Sequence, residues 1–109
     1  DPFDPQWQDN AETKAYLAWM KTYYPDGNPA DMYNVHGYTS AYLLAEILKR
    51  CGATLTRAEV MKQAANLKEV SVPMLLPGIK INTSATDFAP IEHMRLARFD
   101  GTRWVQVDE

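Results

Sequence analysis

Two histidines, one cysteine and fourteen carboxylates are the side chains here with the plainest metal-binding or acid–base chemistry. A structural or catalytic zinc site needs Cys or His at short, regular spacing. His36 and His93 stand far apart with no partner at ligand spacing, so no metal site is expected. Cys51 and His36 fall on one expected helix, fifteen residues apart. At ~1.5 Å per residue that is roughly 22 Å, too far for a nucleophile and its base. Cys51 with His93 stays open on spacing, against the plainer reading of an inert cysteine buried at a helix end. Neither glycine-rich phosphate-loop pattern occurs; LLPGIKINTS is poor in glycine and runs into extended chain rather than a helix. The carboxylates show no spacing that gathers two in one cleft, and solvated surface is their default. No catalytic residue and no cofactor is assigned, and the chain is not expected to be an enzyme.

Charge narrows the partners. A net charge of -3 with scattered Lys and Arg, the longest cluster being Lys49-Arg50, argues against nucleic acid. No apolar run approaches the ~20 residues that cross a bilayer. With 109 residues, 46% of them hydrophobic, the sequence suits one domain with a core. The lone Cys51 leaves nothing for an internal disulfide. Trp7, Tyr16, Trp19, Tyr23, Tyr24, Tyr33, Tyr38 and Tyr42 crowd the first half, leaving only Trp104 of these two types elsewhere. Such rings serve cores, interfaces and ligand pockets alike.

Several elements must position these residues. Residues 1–9 read as an extended lead-in, with two prolines and no period. Asn10 is placed to cap a helix whose Tyr16, Trp19, Met20 and Tyr23 form one apolar stripe. Pro25, Gly27 and Pro29 end it. A second helix is expected from about His36 to Cys51, apolar on most faces and therefore packed between other elements. Gly52 is its stop. Thr56 and Glu59 make a capping box for a third helix, with Val60, Met61, Ala64 and Leu67 as its buried side. Residues 70–88 read as extended and loop-like. A hairpin follows around Asp100-Gly101. A two-residue turn would set Leu96 against Val105 but also Arg98 against Arg103, which repel; a longer loop would pair Phe99 with Trp104. Both registers remain open. Three helices with one two-stranded ribbon are cover without a sheet, because such a ribbon is marginal alone.

The order of motifs resembles the C-terminal region of type I periplasmic binding proteins. It is carried by DPFDPQWQDN, YLAWMKTYYPDGNP and YNVHGYTSAYLLAEILKRCG, then by Leu55-Thr56-Arg57-Ala58, Pro77–Asp87 and Arg98–Trp104. The nearer likeness is to the branch that takes branched-chain or other hydrophobic amino acids, amides and aromatic acids. The resemblance implies an α/β, two-lobed fold of which this chain is a C-terminal fragment: three helices, extended segments and a terminal β-hairpin. Residues 1–83 would be helices and connectors of the first lobe, and 84–109 the crossover and last strands of the second. The implied function is the extracytoplasmic solute-binding component of an ABC importer, periplasmic or lipid-anchored, with a membrane permease as partner. In relatives a residue just before the G-Y helix points into the cleft. That places Val35, with Tyr33, Asn34 and His36 beside it, against a small-molecule ligand. A free helix N-terminus there would suit a carboxylate. Against this, Tyr33 could staple the helix entry and His36 could cap it. The family's main clamps would lie outside this stretch, and residues 1–109 alone should self-associate through the apolar second helix. Two other readings stay open: a cytoplasmic amide-sensing domain of the same fold, and a self-contained helical interaction module.

Overall fold

The computed structural model describes residues 1–107. Helix α1 spans Ala11–Tyr23, α2 spans Met32–Cys51, and α3 spans Arg57–Ala64; strands β1, Ala97–Phe99, and β2, Trp104–Gln106, close the chain. A single 3-10 turn, Pro5–Trp7, interrupts the lead-in. Polar caps explain where the helices begin. Asn10 Oδ1 accepts the Thr13 N–H at 2.9 Å, and Thr56 Oγ1 accepts the Glu59 N–H at 3.2 Å. Only the Thr56 half of the expected box is made, because the Glu59 carboxylate meets Gln63 Nε2 at 2.7 Å instead. Gly52 ends α2 with φ +57°.

The second helix starts four residues before the expected His36, at Met32. Asp31 supplies the cap, its Oδ1 accepting the Tyr33 N–H at 2.9 Å. Its burial is also a correction. Only Ile47 and Cys51 are buried, while Met32, Tyr33, Tyr42, Leu44 and Leu48 are exposed. The α1 stripe divides in the same way: Tyr16 and Met20 are buried, Trp19 and Tyr23 are not.

One core forms where the C-terminal half of α2 meets α3 and the 67–83 segment. Ile47, Leu67, Val70, Val72 and Ile81 make it, with Leu43, Val60, Ala64 and Leu75 packed around them. Met61, expected on the buried side of α3, is exposed. The segment is held by an antiparallel bridge, Val70 to Ile81, with backbone bonds of 3.1 and 2.9 Å. Buried Thr83 completes it: its hydroxyl donates to Ala64 O at 2.6 Å and accepts the Leu67 N–H at 3.0 Å. The hairpin takes the longer-loop register, with Phe99 opposite Trp104 and Arg98 opposite Val105. Asp100 Oδ1 draws in the Thr102 and Arg103 N–H groups, which moves Arg103 off the ladder and away from Arg98.

The radius of gyration is 16.0 Å, whereas a compact domain of this length measures about 13 Å. The accessible surface is 8079 Å², against about 6,100 Å² for a compact monomer of this mass. The chain is therefore an open layer with much apolar surface uncovered. Replacing Thr83 by Val should strand a buried N–H and destabilise the chain by about 1–3 kcal/mol in urea titration. Thr83→Ser should retain most of the stability, and Thr86→Val should cost less than about 0.5 kcal/mol.

Candidate functional site

Residues 33–36 lie in the first turns of α2, so its free end is not where the sequence pointed. The Asp31 carboxylate takes the Tyr33 N–H, and the Asp31 carbonyl accepts those of Asn34 (3.0 Å) and Val35 (3.2 Å). A negative charge already occupies that helix end, which removes the reason for a ligand carboxylate to bind there. Asp31 also takes the capping role that His36 could have held. The His36 ring turns to Ser40, with Nε2 3.5 Å from Oγ.

Helical geometry sends the four candidates to two different hollows. Val35 and His36 line a cavity of about 330 Å³ enclosed by the lead-in, the start of α1 and residues 74–77. Tyr33 and Asn34 line a groove of about 450 Å³ between α1 and α2, and Tyr33 stands 79% exposed at its rim. Val35 is the half-buried member of the first pair.

Trp7, Met74 and Leu75 give the first cavity its apolar wall, and Glu12 and Asp1 bring acidic groups to it. Among the described residues no Lys or Arg lines it. The Glu12 carboxylate accepts the Met74 N–H at 3.3 Å. Met74 holds φ +68°, a left-handed conformation that costs a non-glycine residue about 1–2 kcal/mol. Thr39 Oγ1 ties the same loop to α2, lying 3.0 Å from Pro73 O and 3.1 Å from Val35 O. Sequence reasoning missed Glu12, Thr39 and Met74. Glu12 reads as an ordinary first-turn acid, and nothing local marks Met74 for positive φ.

Between α1 and α2, Tyr16 is fully buried and its hydroxyl donates to Pro29 O at 3.0 Å. Burial and then the nearby Asp31 charge push its phenol above the usual tyrosine range. Cys51 is buried with Sγ 3.3 Å from Ile47 O. Among the described residues no cluster of three His, Cys, Asp or Glu could hold a metal, and no helix is long and apolar enough to cross a membrane.

Comparison with known families places this arrangement. The model described as "Periplasmic binding protein" matches residues 1–103, and the chain belongs to that family. It carries part of the family's fold, three helices and a small antiparallel sheet, and the family's general role is solute binding. No curated protein and no solved structure matches the chain.

Removing the Asp31 charge separates its two effects. Asp31→Asn should lower the Tyr16 pKa towards the ordinary value, leaving the part due to burial, as ultraviolet pH titration would register. The raised pKa means stability is intact below the unfolded tyrosine pKa and is lost as pH climbs through the folded one. In Asp31→Asn that loss should start at the same pH, level off at a lower one and be smaller in total.

Proposed function

We propose that this chain is the C-terminal part of an extracytoplasmic solute receptor that serves an ABC importer. The family match over residues 1–103 carries the reading. Residues 1–83 are assigned to one lobe and 84–109 to the crossover and last strands of the other. The ligand is a small organic solute, a branched-chain or other hydrophobic amino acid, an amide or an aromatic acid, held between the lobes. Val35 and His36 form this chain's wall of that site, with Tyr33 and Asn34 on the neighbouring helix face. Val35 supplies apolar contact and His36 a polar one, the mixture that ligand pockets use to combine affinity with orientation. The role needs no catalysis. Ligand binding favours the closed arrangement of the lobes, which the permease reads.

The uncovered surface supports a larger parent. It exceeds that of a compact monomer by about 2,000 Å², on the scale of one side of a large obligate interface. Leu44 and Leu48 stand exposed on α2, apolar surface that the remainder of such a receptor would cover.

Calorimetry on the receptor containing this segment should give stoichiometric binding within the set of hydrophobic amino acids, amides and aromatic acids. Silence across the whole set would count against the proposal. Val35→Asp should weaken that binding at least about tenfold, because it sets an unpaired charge against the apolar ligand. Residues 1–109 alone should sediment with concentration-dependent mass; a monomer that melts cooperatively would favour the helical module instead.

A further inference from the structure

The groove between α1 and α2 differs in chemistry from the Val35 cavity. Trp19, Tyr24, Tyr33, Tyr38 and Tyr42 supply its walls, and among the described residues no charged side chain lines it. The only amide present, that of Asn34, is committed to Asn28 O at 2.9 Å. At about 450 Å³ the groove falls within the range of small-ligand pockets, roughly 300–1,000 Å³.

Three of the five rings are held in place. Tyr38 meets Tyr16 and Trp19 edge to face, with centroids 5.2 and 5.3 Å away. Tyr16 is fully buried, so this set anchors Tyr38 and Trp19 to the layer beneath. Tyr24 is placed by Gly27. A Cβ at position 27 would overlap the Tyr24 ring, so the ring takes its position only because that residue has no side chain.

Aromatic faces are electron-rich, and a cation set among several is attracted to all of them. Here no lysine or arginine competes for those faces, and the Asp31 carboxylate at the start of α2 adds a negative field. An anion would find only neutral hydroxyl and indole donors and no cationic side chain among the lining residues, whereas a methylated ammonium needs no donor and is met by the rings. We propose that this groove is a binding site for an organic ammonium group, such as a trimethylammonium head, distinct from the solute site at Val35.

The discriminating pair is choline and its neutral isostere 3,3-dimethylbutan-1-ol, titrated into the whole chain by NMR or calorimetry. Choline should bind saturably and about 2- to 30-fold more tightly than the alcohol, the range that cation–π attraction provides. Trp19→Leu should abolish the preference. Gly27→Ala should reduce it, by displacing the Tyr24 ring. Should circular dichroism show Trp19→Leu unfolded, Tyr42→Leu at the exposed rim should erase the preference in its place. Equal affinity for the two probes would overturn the proposal by making the groove merely apolar. So would no saturable choline binding, as when another segment covers the groove, or a preference that survives the ring substitutions.

Discussion

The 67–83 segment depends on a side-chain substitute for a sheet. A long irregular stretch must satisfy its backbone groups somewhere, and here the Val70–Ile81 bridge accounts for two of them. The Thr83 hydroxyl serves two more, one on the last residue of α3 and one on Leu67. With those met, Leu67, Val70, Val72 and Ile81 point inward together against Ile47. The same fold-back carries Pro73 and Met74 to Thr39 and Glu12, so the floor of the Val35 cavity is a consequence of the clasp. Packing at one end of α2 thus shapes a hollow near its other end.

Features governed by neighbouring residues were legible in the sequence. Asn10, Thr56 and Gly52 act where their types and positions indicated, because capping is a matter of a few bonds within one turn. The Asp100-Gly101 hairpin was visible, and like-charge repulsion at Arg98 and Arg103 already weighed against the tighter register. The Asx contacts of Asp100 account for the longer loop. The start of α2 is not marked by propensity, because Met32-Tyr33-Asn34-Val35 carries three weak helix formers ahead of the stronger apolar run. Asp31, an acid just ahead of apolar residues, was the signal to follow.

Burial was less legible, for a physical reason. A stripe of Tyr16, Trp19, Met20 and Tyr23 marks the side of a helix that will be covered, but not by what. In this chain Tyr16 and Met20 find cover within the described residues, while Trp19 and Tyr23 do not. Aromatic residues with polar tips tolerate both outcomes, so composition cannot separate a core from a groove. The candidate ligand residues suffered from the same limit. Tyr33, Asn34, Val35 and His36 are consecutive, and a period of 3.6 residues sends consecutive side chains to different sides. A contiguous segment in an irregular loop could share one cleft; the same segment in a helix divides between two.

That division gives α2 an asymmetric design. Its C-terminal half is bound to the core through Ile47 and Cys51, and its last turn is closed by Lys49, Arg50 and Gly52. Its N-terminal half has hollows on both flanks and an acidic cap, with Thr39 the hydroxyl that fixes it to the 73–74 loop. Rigid anchoring at one end lets the other hold side chains in defined places without burying them, and a binding wall needs that. The exposed outer side, Leu44 and Leu48, has neither role in this layer. Their exposure follows from an α2 whose buried residues, Ile47 and Cys51, all lie in its C-terminal half.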